Sequence, residues 1–364
     1  KEAATILRSA LRALSSKGHG NAFRRGELYS KLALAHERQG EIATALSGAI
    51  QGGEIWENIQ GDNGELREGK ARWHSTMGRL RALEGGSAAA EEHYRQALKL
   101  LRNDPSSLDA PRIIGALGML AWSGGQVERA VAYHQESLKR WKALGHLRGA
   151  ATASGNLGAI FVRIRRTEGA LPYLGESLGL YRRLGDVKGE AMALTNLGAA
   201  LGELGRSGEA KAMLEEAYYL FHNLGLQWEA QEVCRLLGGQ LLGLEEPVAA
   251  EQWALLGLGE AQEEEPSWEL YSIISLAALS QGRLPGAREA FEEALRLATK
   301  QCNQKERLEL ILGWVEGCYR EGSPGSVAEG DARLEPVRRS MEQIRDGALL
   351  RRWRKLQEQR AIKD

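Results

Sequence analysis

The run GELREGKA (64–71) has the spacing G-x-x-x-x-G-K, in which a glycine-rich loop and a lysine cradle phosphates. The next residue is Ala71, where a hydroxyl should hold magnesium. Glu65 and Glu68 would face the phosphates, and the preceding IWENIQGDN is a poor buried strand. The start of a helix is the better reading. Seven histidines stand at 19, 36, 74, 93, 134, 146 and 222, with no H-E-x-x-H among them. Stacked helices could bring His36 near His74 and His93 near His134, with Glu91 and Glu92 beside His93. Polar residues on solvated helices account for these better than a metal centre does. There is no G-x-S-x-G, and Cys234 and Cys302 have no recognisable His-and-Asn setting. The sequence therefore gives no catalytic centre, no cofactor and no metal.

Charge and composition narrow the partners. Lys plus Arg is 48 and Asp plus Glu is 48 in 364 residues, so no global field favours nucleic acid or an acidic membrane. Locally the balance shifts. Residues 245–265 hold seven Glu and no Lys or Arg, residues 139–183 are rich in Arg and Lys, and 345–364 hold seven basic residues against three acids. No apolar run reaches the length of a membrane span. The three cysteines, at 234, 302 and 318, form no C-x-x-C pair; if Cys302 and Cys318 share one helix they are about 24 Å apart. A reducing, cytoplasmic setting follows. The chain starts at Lys rather than Met, which suggests a fragment.

Positioning any of these residues falls to a repeated element. GHLRGAATASGNLGAIFVRIRRTEGALPYLGESLGLYRRLG (145–185) aligns without a gap on residues 185–225, and NLGA recurs at 156–159 and 196–199. A small residue (Ala33, Gly78, Gly118, Gly158, Gly198, Gly238, Ser275) precedes an Ala (Ala45, Ala90, Ala130, Ala170, Ala210, Ala250, Ala287) by about twelve positions. Between them lies a turn residue, Gly40, Gly85, Gly125, Arg165, Gly205, Glu245 or Gly282. Two antiparallel helices pack closely only where their crossing side chains are small, and a single pair cannot bury its face alone, so units stack. The pattern predicts an all-α, right-handed α-solenoid of seven to eight antiparallel helix pairs. Residues 1–20 read as a capping helix or truncated repeat, 21–300 as seven repeats, and 301–364 as a degenerate eighth unit with capping helices. Repeat seven is expected to open at Pro266, and no Ala follows in register after the turn at 321–326. Most of the nine Trp should pack between repeats, while Trp353 in RRWRKLQ could face a partner.

The phrase L-G-x-x-(Y/F/L)…G-x-x-x-x-A resembles the tetratricopeptide repeat, with a 40-residue period similar to kinesin-light-chain and Pins-type repeats and to bacterial regulator arrays. The resemblance implies that the first helix of each pair lines a concave wall. Its inner ladder would hold Arg112, Gly115, Met119 and Trp122, then Thr152, Gly155, Ala159, Val162 and Arg163, then Met192, Thr195, Ala199, Gly202 and Glu203. Repeats six and seven would place Arg235, Gly239, Leu242, Ser272, Leu276 and Leu279 there. Asn156 and Asn196 stand where the kinesin-light-chain type carries an Asn that bonds peptide backbone; a hydrogen bond between helices is the alternative role. Arg112 and Arg163 would favour carboxylates, and Met119 with Trp122 an apolar anchor. The implied function is a non-enzymatic scaffold holding a protein or peptide partner, acidic in part. The alternative is the sensor or regulatory arm of a bacterial transcription activator or signal-transduction ATPase that binds an effector or self-associates.

Overall fold

The computed structural model describes residues 2–14, 19–61, 63–261, 267–343 and 346–363. Among them are eighteen α-helices and no strand. Ser15–Gly18 of the first linker, Pro266 at the expected start of repeat seven, Glu263–Glu265 of the acidic run and Arg345 lie outside the described residues.

The chain divides into two units, residues 1–185 and 186–364. In the first, α1 (Glu2–Ala13) packs on α2 (His19–Glu37), and α2 pairs with α3 (Ile42–Asn58). The next pairs are α4 (Gly64–Leu83) with α5 (Ser87–Leu101), α6 (Asp109–Ser123) with α7 (Val127–Ala143), and α8 (Leu147–Arg163) with α9 (Thr167–Leu184). In the second unit α10 (Val187–Glu203) pairs with α11 (Ser207–Asn223), and α12 (Gln227–Gly243) with α13 (Pro247–Glu260). Then come α14 (Trp268–Ser280) with α15 (Leu284–Gln301), α16 (Gln304–Glu321) with α17 (Pro324–Gln343), and a last helix α18 (Gly347–Lys363). Each unit is a stack of antiparallel helix pairs, the all-α solenoid class.

The crossings form as the small residues require. A Cβ on Gly158 would lie 2.5 Å from Leu174 Cγ, one on Gly198 2.8 Å from Leu214 Cγ, and one on Gly78 2.8 Å from the Tyr94 ring. Ala130, Ala170, Ala210, Ala250 and Ala287 are fully buried opposite them. After the crossing each first helix ends in a left-handed residue. At Gly125 the next amide, Gln126 N–H, donates back to Ala121 O at 2.8 Å. Arg165 (φ 61°) and Glu245 (φ 59°) adopt the same conformation without being glycine, and Arg166 N–H and Glu246 N–H close the same bond at 2.9 Å.

Tryptophan and glycine pack together. Trp56 of α3 lies against Gly26 of α2 and Gly69 of α4, Trp73 of α4 against Gly53 of α3, and Trp141 of α7 against Gly149 of α8. Trp314 stacks on Phe291 with centroids 4.7 Å apart. Trp228 is the exception, 66% exposed. Trp353, expected to face a partner, packs against the C-terminal cluster of Leu308, Leu312, Leu349 and Leu356. In that last unit Gly330 fits against Tyr319 and Cys318, taking the close approach that no alanine supplies. Cys302 follows α15 and Cys318 sits within α16, so the two do not share a helix; all three cysteines are free thiols.

Candidate functional site

The run Gly64–Ala71 is the first two turns of α4, capped by the Asn63 side chain, which accepts from Leu66 N–H at 2.7 Å. A helix cannot wrap backbone amides around a phosphate as a loop does. Gly69 is buried against Trp56, and Lys70 Nζ donates to Ile59 O at 3.4 Å. The histidines also pair differently from the expectation. His74 Nδ1 meets His93 Nδ1 at 3.0 Å, beside the Trp73 ring. His36 holds Glu41 at 2.5 Å and Arg8 at 3.0 Å, while His134 is buried with both ring nitrogens unpartnered. The repeat register puts histidines on equivalent faces, but side-chain direction across α4 and α5 decides which two touch. Burial and the neighbouring His93 push His74 down to about 4. Among the described residues no three His, Cys, Asp or Glu side chains are grouped to hold a metal ion.

The first helices supply one wall of each unit. In residues 1–185, α2, α4 and α6 lie side by side. Their facing charges are tied to one another: Arg72 reaches Glu68 at 3.0 Å, Glu27 at 3.5 Å and Asp109 at 3.5 Å, and Arg79 reaches Glu37 at 2.8 Å. Arg112 pairs with Asp109, whose carboxylate is almost buried. The cation expected there is thus already neutralised. An open pocket of 190 Å³ lies along this wall, lined by Ser30, Leu34, Arg72, Thr76, Arg79 and Arg112 among others. Sequence reasoning passed over these pairs. Their signal is a charge complement close to the repeat period, as in Glu37–Arg79 (42 residues), Glu91–Arg129 (38) and Lys188–Glu229 (41).

Further along the same wall, α6 and α8 differ. Met119 is 53% exposed, whereas Trp122 is half-buried against the Ala121, Ala130 and Ile160 cluster. On α8, Asn156 is half-buried and Arg163 exposed, and among the described residues neither has a hydrogen-bond or ion-pair partner. Gly155 and Ala159 beside Asn156 carry little bulk. Thr152 is occupied, its hydroxyl lying 2.9 Å from Tyr181 Oη.

In the unit of residues 186–364, Asn196 on α10 is exposed and likewise without a partner among the described residues. Thr195 Oγ1 donates to its own helix at Ala191 O, 2.9 Å away. Met192 is 51% exposed. Arg235 is held by Glu232 through two bonds of 2.6 and 2.7 Å, and Leu279, placed on the inner ladder by the sequence, is core. A pocket of 650 Å³ runs past Leu242, Leu276, Gly313, Gly317, Arg320 and Arg352, with Arg352 clamped on Glu316 at 2.8 and 2.9 Å.

Stacked helix pairs with small residues at each crossing and a wall of first helices define a helical-repeat fold. Residues 109–183 and 150–221 match the tetratricopeptide repeat family, and the helix pairs along the chain recur about every 40 residues. Among solved structures it is similar to the apo form of RapI, at 13% identity over 93% of this chain and 92% of that one, with a TM-score of 0.69. It is also similar to a Rap protein complexed with Competence and Sporulation Factor, at 16% identity over 98% of each chain and TM-score 0.54. BtubC (BKLC) from P. vanneervenii matches at 20% identity over 61% of this chain and 90% of that one, TM-score 0.54. At these identities the likeness is one of fold. No curated protein sequence matches the chain. No described helix is long and apolar enough to cross a membrane.

Proposed function

We propose that the chain is a non-catalytic scaffold in a reducing compartment, and that its first helices hold an extended segment of a protein partner. The observation that carries this is a contrast along one wall. From α2 to α6 the inward charges are paired within the chain. On α8, Asn156 and Arg163 are left unpaired beside Gly155 and Ala159. An amide with a free donor and acceptor suits a peptide bond, and a backbone can approach over small side chains. In the unit of residues 186–364, Asn196 and Met192 are exposed on α10 as a separate candidate contact. Cys234 and Cys318 fit a reduced setting, since burial pushes both thiols up to about 12 and keeps them protonated. The Rap protein complexed with Competence and Sporulation Factor is a solved example of this fold holding a partner.

The test is selection of peptides from a random display library on the full chain, followed by anisotropy titration of the selected peptides. Asn156→Ala and Asn196→Ala should each weaken binding about 2- to 13-fold at any salt, the worth of one net hydrogen bond of about 0.5–1.5 kcal/mol. Arg163→Glu should weaken binding of carboxylate-bearing peptides, less so as salt rises. Melting should not change. Peptides that bind all three variants as tightly as the parent would refute the site; lower melting with intact binding would make the Asn residues structural.

A further inference from the structure

A second cavity lies on another part of the first unit, where α3, α4 and α5 meet. It is an open pocket of 550 Å³, within the range of about 300–1,000 Å³ typical of small-ligand sites. Four cations line it, Arg67 and Lys70 on α4, Lys99 on α5 and Arg102 just beyond, against one carboxylate, Glu57. Among the described residues Lys99 and Arg102 have no ion-pair or hydrogen-bond partner, and Lys70 has only the long bond to Ile59 O. Elsewhere this protein pairs such charges across repeats: Arg79 with Glu37, Arg129 with Glu91, Lys142 with Glu176. Lys70, Lys99 and Arg102 repel one another with Glu57 as the one lining carboxylate, and an anion relieves that repulsion. His74 also lines the cavity; it is uncharged at neutral pH and adds no further repulsion.

We propose that this pocket binds a small ligand carrying two or more phosphoryl groups. Arg67 has a partner of its own, and Lys70, Lys99 and Arg102 still exceed the carboxylate by two, while the pocket has room for more than a single phosphate. Lys and Arg donors suit phosphoryl oxygens, Arg through paired N–H groups. The site is not a phosphate loop. The glycine of the G-x-x-x-x-G-K run packs against Trp56, while the lysine lines the pocket from a helix.

The probe is pyrophosphate, titrated into the full chain by calorimetry with melting followed in parallel. It should bind and raise the melting temperature, with affinity falling as salt rises. Lys99→Gln with Arg102→Gln removes two exposed cations and should weaken binding on the order of tenfold or more. Arg38→Gln with Lys139→Gln removes the same charge elsewhere and should leave affinity within about twofold. Should the first double variant melt lower without ligand, Lys99→Gln alone carries the comparison. No binding of pyrophosphate, equal weakening in the control, or orthophosphate binding as tightly would overturn the proposal. So would a glutamate-rich peptide competing as well as pyrophosphate, which would place an acidic protein segment there instead.

Discussion

Replacing Gly158 by Ala tests the crossing on which the whole architecture rests. The added methyl would stand 2.5 Å from Leu174 Cγ and 3.4 Å from Leu174 N. Carbon atoms pack at roughly 3.5–4.0 Å, so α8 and α9 must move apart by more than about 1 Å locally or Leu174 must leave its rotamer. Leu174 is fully buried and has nowhere to turn. Overpacking of this kind costs about 1–3 kcal/mol, and the better helix propensity of Ala returns about 1 kcal/mol. The net should be a loss of about 0–2 kcal/mol. Gly175→Ala is the internal control: it lies on the same helix pair, and its Cβ would have no neighbour within 4 Å. That change should stabilise by about 0.5–1 kcal/mol, the propensity gain alone. The difference between the two substitutions therefore isolates the crossing. Urea midpoints and slopes followed by helical circular dichroism give the numbers, the slope checking that unfolding stays cooperative. Combining Gly158→Ala with Leu174→Ala should cost less than the sum of the two, because the new methyl occupies part of the space that the leucine leaves. A Gly158→Ala protein as stable as Gly175→Ala, or strict additivity with Leu174→Ala, would refute the close-approach argument.

Two further outcomes are expected, one from backbone conformation and one from burial. Arg165→Gly and Glu245→Gly each remove a side chain from left-handed backbone, a conformation that costs an L-residue roughly 1–2 kcal/mol, and each should raise the urea midpoint; a lower midpoint would mean that the side-chain contacts outweigh the strain. His134 is held below its ordinary value of 6.5 by burial, so the unfolded chain takes up the proton more readily than the folded one. Its share of stability is complete above about pH 6.5 and is lost as pH falls. His74, with its folded value near 4, acts in the same direction. The parent should therefore lose more melting temperature between about pH 7 and about pH 5 than His134→Leu does, and equal losses would remove His134 from the account.

The helix pairs were legible in the sequence because their determinants are short-range and repeat. A Gly or Ala, a left-handed turn and a buried Ala recur about every 40 residues, and backbone geometry converts that spacing into a crossing. Even Arg165 and Glu245 were readable as turn residues, since register identifies the position whatever side chain fills it. Pairings that depend on side-chain direction were not legible. Trp56 lies against glycines of two other helices, Gly26 and Gly69, and nothing in the repeat phrase marks them. His74 stood in register with His36 but meets His93, on the helix paired with its own. Register was also too coarse for the inner ladder. It put Arg112 and Arg163 on the inner ladder as two cations for carboxylates, yet Arg112 is held by Asp109, three residues before it on the same helix. Three residues before Arg163 stands Ile160, which is buried and has no charge to offer.

The two candidate sites differ in how their residues relate to the repeat. Asn156 and Asn196 occupy the same phrase in successive repeats, so each would read a ligand through a periodic feature of its own unit. Lys99 and Arg102 have counterparts in register at Lys139 and Lys142, but Lys142 is held by Glu176 while Arg102 has no such partner among the described residues, and neither counterpart lines this pocket. Lys70, Lys99 and Arg102 come together where the step between repeats lengthens to 45 residues through the segment at 60–65. A departure from periodicity inside an otherwise regular array has to be accommodated by the packing around it. Here α3 and α4 keep their contact, with Trp56 closing on Gly69, while a basic pocket opens next to the same tryptophan. A buried aromatic that fixes two helices while one edge of its surroundings stays polar and basic gives the pocket proposed above a rigid support. The repeat thus supplies the scaffold, and its one long step supplies the position at which the chain could recognise something other than a peptide.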